Sequence, residues 1–312
     1  MQAMILAAGF GTRLLPHTRI KPKPLFPILN QPLLLLTIRR LQRFGFSRII
    51  VNCHHLRTQV EAALAGIEGV VIQSEETILG TGGGLRRALA QLEDEPLLVT
   101  NGDIYHTIDY AALMESHGNN ECAVTMAMHD HRRFNKVPVS GDRIQSFDET
   151  RPGQKLAYTG LQVVHPAVLE SIADGEKSCI ISHYRQLLQS GIEIGVFRAD
   201  NCFWTDMGTP ADYLELHAGL LTGKVPRWRD FDYQEKDGFL VSDKATITGE
   251  NRLEGWCALG AVALDNATLS RTVVWDGVAL PKGHSAEDQL ISVSPVQPAV
   301  HGSSDSVASE EF

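Results

Sequence analysis

The sequence predicts an α/β protein: a Rossmann-like, mostly parallel mixed sheet with helices on both faces, then a short C-terminal left-handed β-helix-like segment. Three observations carry this. Short aliphatic and β-branched runs alternate with helical stretches through the first two thirds of the chain, the pattern of a sheet covered on both faces. A glycine loop, Gly9-Phe10-Gly11, follows the first run directly. Past residue 238, Val241, Ile247, Leu253 and Leu259 recur at a stride of six, the step of a coil that buries one aliphatic residue per flat strand.

In order, residues 3–7 read as a buried strand. Pro32 opens a helix over 33–44, where proline suits the first turn and Gly45 the C-terminal cap. Strands follow at 48–52, 70–73 and 96–100, with helices at 56–65 and 84–92 between them. Asp109 caps a helix that Gly118 stops. Further strands are expected at 123–128, 143–147, 158–164 and 194–198, with helices at 166–173, 180–189 and 210–221. The expected division is a catalytic domain over 1–221, a charged linker over 222–237, the β-helical appendage over 238–283 and a loose Ser/Pro-rich tail over 284–312.

Composition narrows the function. The 312 residues exceed what one small core needs, and 43% hydrophobic against 21% charged is globular. Acidic residues (37) outnumber Lys+Arg (28), which disfavours a nucleic-acid partner. Five cysteines stand without a C-x-x-C pair, against a disulfide framework or structural zinc. No run is long enough to span a membrane, and the apolar stretch 4–8 is short for a leader. A cytoplasmic protein with no membrane partner is expected.

The first loop carries the strongest chemistry. Ala7, Ala8, Gly9, Gly11 and Thr12 are small enough for backbone amides to approach a phosphate chain, and Arg13 adds a permanently charged fork. Alone, such a loop is equally a tight turn. It lacks the third glycine of a dinucleotide fingerprint and any Walker lysine. Lys23 stands between Pro22 and Pro24, which stiffen it. Asp103 follows a strand end, either as a turn residue or to hold Mg²⁺ against phosphates. Asp206 precedes the last helix, and two distant aspartates suit one hard cation. Gly82 and Gly83, in a run of three glycines, leave room for a flat ring. Gln73 is a strand-end residue whose amide can donate and accept, as a uracil edge requires.

In chain order, Leu-Ala-Ala-Gly-Phe-Gly-Thr-Arg-Leu-Leu-Pro from Leu6, Pro22-Lys23-Pro24-Leu25, Leu79-Gly80-Thr81-Gly82-Gly83-Gly84, Asn101-Gly102-Asp103, Tyr158-Thr159-Gly160 and Trp204-Thr205-Asp206-Met207-Gly208-Thr209-Pro210 resemble the sugar-1-phosphate nucleotidyltransferases. The resemblance covers residues 1 to about 221 and takes in the N-acetylmuramate-1-phosphate uridylyltransferases and the mannose-1-phosphate guanylyltransferases. It implies an NTP and a sugar 1-phosphate as substrates and Mg²⁺ on Asp103 and Asp206. It also implies Arg13 at the leaving pyrophosphate, Lys23 near the α-phosphate, the glycine turn against the base, and Glu149, Thr159 and Gly160 at the sugar. Where the family carries Glu-Lys-Pro, this chain has Glu149-Thr150-Arg151-Pro152. Arg151 is therefore the expected sugar-phosphate cation, with Lys155 second. UTP is the expected donor, from Gln73 and the Thr-Gly-Gly-Gly turn. GTP with a manno-configured acceptor is the alternative, with Glu75 or Glu76 accepting from guanine. A regulatory subunit that only senses nucleotide sugars is the rival from another class. Such paralogues typically lose the loop arginine, the lysine or a metal aspartate, and all four are present. The appendage is too short for an acyltransferase site; Trp256 and Trp275 would anchor it to the catalytic domain or to a second copy in a homo-oligomer.

Overall fold

The computed structural model describes residues 1–232 and 235–295. Strand β1 (Gln2–Leu6) runs into a loop of three 3-10 turns, Thr12–Leu14, His17–Arg19 and Lys23–Leu25, then into the hairpin β2 (Pro27–Ile28) and β3 (Gln31–Pro32). Next come α1 (Leu33–Arg43), β4 (Arg48–Cys53), α2 (Arg57–Leu64), β5 (Val70–Ser74), α3 (Gly80–Ala88), β6 (Leu97–Asn101), β7 (Tyr105–His106) and α4 (Tyr110–Asn119). They are followed by β8 (Val124–His129), β9 (Val137–Ser140), β10 (Arg143–Ile144), β11 (Lys155–Val164), α5 (Ile180–Gln189), β12 (Ile194–Arg198), β13 (Trp204–Thr205) and α6 (Pro210–Leu221).

Strands β5, β4, β1 and β6 pair in parallel, and β11 lies antiparallel between β6 and β8. Side chains alternate across the sheet as a period of two requires. Ala3 and Ile5 pack toward α1, α2 and α4, while Met4 and Ile50 pack toward α3 and α5. The far half departs from a simple open sheet. Strand β9 pairs with β10 and also with the start of β11, so β11, β8, β12, β10 and β9 form a closed ring. The cause is in β11: its register with β8 breaks between Tyr158 and Gln162, around Gly160 at φ +81°. A bulge bends a strand, and this one lets the first residues of β11 reach β9.

The C-terminal strands β14 (Phe239–Val241), β15 (Thr246–Thr248), β16 (Arg252–Leu259), β17 (Ala263–Asp265), β18 (Thr268–Val274), β19 (Ser285–Glu287) and β20 (Leu290–Ile291) pair only in parallel. Val241, Leu259, Val274 and Ile291 stand in one register row. The six-residue stride thus marks successive faces of a coil, and the row marks successive coils. Two of these strands lie past residue 283, so the stack reaches into the stretch expected to be loose. The rest of that stretch, 296–312, lies outside the described residues. The linker is also more fixed than its composition suggests. Trp228 is buried, stacks on Tyr105 at 4.5 Å and donates to the His106 carbonyl at 2.6 Å.

The stack shares a core with the N-terminal α/β part. Trp275, Trp256 and Ala258 pack with Phe26, Leu33, Tyr213 and Leu216. Of the two partner surfaces expected for the appendage, the N-terminal α/β part supplies one. Within this seam, buried His217 accepts from the Leu29 amide at 3.2 Å through Nε2 and donates to the Tyr213 carbonyl at 2.9 Å through Nδ1. Both ring nitrogens are satisfied only in the neutral form, and burial lowers the pKa to about 4 from 6.5. Above pH 6.5 the ring is neutral folded or unfolded. Below it the unfolded chain takes up the proton first, so stability falls as pH drops from 6.5 to about 4, by roughly 3 kcal/mol. Denaturant titrations at stepped pH read this out, and His217→Gln is expected to flatten that segment of the curve.

Candidate active site

The site forms where the parallel strands end. Leu6 lies opposite both Asn52 and Asn101, so the carboxyl ends of β4, β1 and β6 form one row. Past that row the chain turns into the glycine loop on one strand and into Gly102-Asp103 on another. Asn52, buried at the end of β4, fixes the loop: its Oδ1 accepts from the Ala7 amide at 2.8 Å, and its Nδ2 donates to Glu75 at 2.8 Å. Gly11 takes a left-handed conformation at φ +62° and opens the first 3-10 turn, which carries Arg13.

A cavity of about 360 Å³ lies over this row, lined by Ala7, Ala8, Gly9, Gly11, Thr12, Arg13, Lys23 and Asp103 from the expected set. Lys23 is buried, and its ammonium is the hub: it donates to Asp103 Oδ2 at 2.7 Å and to the Asp206 carbonyl at 2.8 Å. Asp206 in turn accepts from Arg13 at 3.3 Å and from the Gly208 amide at 3.1 Å. Residues 193 positions apart therefore meet in one charged cluster. Among the described residues no three His, Cys, Asp or Glu side chains gather as a metal cage. The Asp103 carboxylate on Lys23 and the Asp206 carboxylate on Arg13 belong to one linked cluster, and two such carboxylates suit a hard ion that takes its other ligands from phosphates and water.

The opposite wall is lined by other residues than the expected base-binding set. Gln73 is buried and off the wall, its amide donating to the Gly84 carbonyl at 3.0 Å. Gly82 and Gly83 are buried too. A Cβ on them would lie 2.8 Å from Ser178 Oγ and 2.4 Å from the Glu176 carbonyl. The glycine run thus seats the first turns of α3 against the 176–180 segment, and α3 begins at Gly80, ahead of the expected residue 84. Ile78, Gly80 and Thr81 supply the wall instead. Glu75 is fully buried, accepting from Asn52 and from the Leu79 amide at 3.0 Å, so it shapes the turn rather than facing a base.

A second cavity of about 820 Å³ adjoins the first at Asn101 and reaches Asp206. Glu149, Thr159 and Gly160 are among the residues that line it. Thr159 contributes backbone only, since its buried hydroxyl donates to the Ala127 carbonyl at 2.8 Å while its own carbonyl accepts from Trp204 at 2.7 Å. Gly160 lets β11 pass against Asn101, whose Nδ2 is 2.5 Å from where a Cβ would stand. Arg151 is absent from this wall; it is exposed and donates to the Gln145 carbonyl at 3.1 Å. Lys136 and Arg185 line the cavity instead. No spacing in the sequence marks them, because the closure of the ring by β9 and the packing of α5 bring them there.

The nucleotidyl transferase family model matches residues 2–223. The chain belongs to that family. The match spans every strand and helix that builds the two cavities, and this nucleotidyltransferase is an enzyme of nucleotide-sugar synthesis by that membership. It is 28% identical over 299 residues to a mannose-1-phosphate guanylyltransferase of Mycobacterium tuberculosis, covering 91% of this chain and 82% of that protein. It is also 28% identical over 231 residues to the N-acetylmuramate alpha-1-phosphate uridylyltransferase of Neisseria meningitidis, covering 70% of this chain and 97% of that one. Among solved structures, HddC from Yersinia pseudotuberculosis superposes with a TM-score of 0.59 at 23% identity, over 69% of this chain and 97% of that one, which establishes the shared fold. No helix among the described residues is long and apolar enough to cross a membrane.

Proposed function

We propose that the protein transfers a guanylyl group from GTP to a manno-configured sugar 1-phosphate, releasing pyrophosphate. One observation carries the choice of GTP over the expected UTP. The likeness to the guanylyltransferase takes in 91% of this chain, whereas the uridylyltransferase spends 97% of its length on 70% of it. Only the former can include the strand stack that shares a core with the phosphate loop. Gln73 and Glu75, the side chains expected to meet uracil and guanine, both lie off the cavity wall, so neither favours one base over the other.

In this reading an acceptor phosphate oxygen attacks the α-phosphorus in line. The new P–O bond forms as the bond to the β-phosphate bridge breaks, and pyrophosphate leaves. Such transfers depend on placement and charge neutralisation. The glycine-loop amides cradle the triphosphate, Lys23 faces the α-phosphate, and Arg13 meets the charge that grows on the leaving group. Asp103 and Asp206 would hold Mg²⁺, which neutralises phosphate charge when bound. Asn52 keeps the loop in register while these charges shift.

A matrix of GTP, UTP, ATP, CTP and dTTP against mannose, glucose and N-acetylmuramate 1-phosphates, read by pyrophosphate release, tests this. GTP with mannose 1-phosphate is expected to exceed any UTP pair by at least tenfold in kcat/KM, about 1.4 kcal/mol of discrimination. A UTP pair that leads the matrix would restore the uridylyl assignment.

A further inference from the structure

We infer that Lys136 and Arg185, which both line the second cavity, hold the phosphate of the acceptor. This rests on the nucleotidyl transfer proposed above. The acceptor enters as a phosphate monoester and must approach a triphosphate, so its charge needs cations beyond Arg13 and Lys23, which Asp206 and Asp103 already engage. Among the described residues lining the second cavity, Lys136 and Arg185 are the cations, beside the acids Asp148, Glu149 and Asp206. Arg151, at the place the family motif suggests, turns to the Gln145 carbonyl, and Lys155 is not on the wall.

Both cations already point at oxygen acceptors of one turn. Lys136 precedes β9, with its amide donating to the Leu156 carbonyl at 3.2 Å, and its ammonium pairs with Glu149 at 3.3 Å. Arg185 rises from α5 and donates to the Phe147 carbonyl at 3.2 Å. The Glu149 carboxylate thus stands where an acceptor oxyanion would. That pair is open to solvent on both sides, 65% and 59% exposed, and exposed pairs of this kind contribute little, so exchanging Glu149 for a phosphate dianion is easy. Lys23, only 6% exposed in its bond to Asp103, has no such freedom. The guanidinium adds two parallel donors, which suit a phosphate better than an ammonium alone.

The test uses the full chain and α-D-mannose 1-phosphate. Lys136→Ala and Arg185→Ala are each expected to raise KM for the sugar phosphate about tenfold or more, with KM for GTP changed less than twofold. Arg151→Ala is the control and is expected to leave both unchanged. Calorimetric titration of mannose 1-phosphate against each folded variant, beside free mannose, reads binding without turnover. Weakened binding of the phosphate ester with thermal melting unaltered supports the assignment. Unchanged sugar-phosphate KM and affinity in both variants overturn it while leaving the transferase reading intact. A wild-type protein that binds mannose 1-phosphate but turns over no NTP overturns the transferase reading alone, and the calorimetric arm still decides between Lys136, Arg185 and Arg151.

Discussion

Lys23→Ala is expected to lower turnover by about a hundredfold or more, the scale on which losing one preorganised charge contact acts. The effect is large because this ammonium has two roles. It is buried, and it joins Asp103 at 2.7 Å to the backbone of Asp206 at 2.8 Å, so its removal frees both aspartates from their common partner. In the proposed reaction it also faces the α-phosphate. Lys23→Arg is expected to fail as well. Gly11 already packs there, with its would-be Cβ 3.4 Å from Lys23 Cβ, and a planar guanidinium does not fit the space of an ammonium. Pyrophosphate release in excess Mg²⁺ checks the rate, and circular dichroism checks that the variant folds. Turnover within threefold of wild type would remove Lys23 from the reaction.

Why this lysine was legible in the sequence, and others were not, has a physical reason. Lys23 and Arg13 sit on short rigid segments whose local chemistry, flanking prolines in one case and a glycine turn in the other, fixes where they point. Asp103 was legible for a related reason, since strand ends of a parallel sheet converge on one rim. Lys136 and Arg185 carry no local mark. Their place depends on β11 leaving β8 at the bulge around Gly160 and on β9, which contains Pro138, completing a ring. That is a long-range event without periodicity. The placing of the base-side residues has the same origin. Polar amides and glycines near a strand end suit a base, which is why the sequence points to Gln73, Gly82 and Gly83. The glycines instead take up a tight contact with the 176–180 segment, a hundred residues away, and Gln73 donates to the Gly84 carbonyl. The six-residue stride predicts parallel coils, but it shortens to five between Leu259 and Val274, and at the next step of six past Leu280 stands Ala286, whose small side chain gives no aliphatic mark, so the sequence ends the stack before β19 and β20.

Trp275→Ala is expected to cost about 3–5 kcal/mol of folding stability, the usual range for emptying a large aromatic site in a core. Trp275 is 3% exposed on a strand stack whose coils have little interior of their own. Its ring meets Phe26 edge-on at 4.7 Å, and its Nε1 donates to the Tyr213 hydroxyl at 3.1 Å. Phe26 lies three residues past Lys23, and its amide donates to the Lys23 carbonyl at 3.0 Å. On the same side, His17, between Arg13 and Lys23, bonds Ser292 at 2.7 Å. The cavity left by alanine therefore loosens the phosphate loop as well as the seam. Denaturant unfolding measures the first effect and the KM for NTP the second, which is expected to rise in Trp275→Ala while Trp275→Phe recovers most of both. A stability loss under 1 kcal/mol would mean that the stack rests on the catalytic part without bracing it. The loop from Arg13 to Lys23 touches the first cavity at both ends and the strand stack through His17, so loss of stability without a rise in KM would separate the seam from the site.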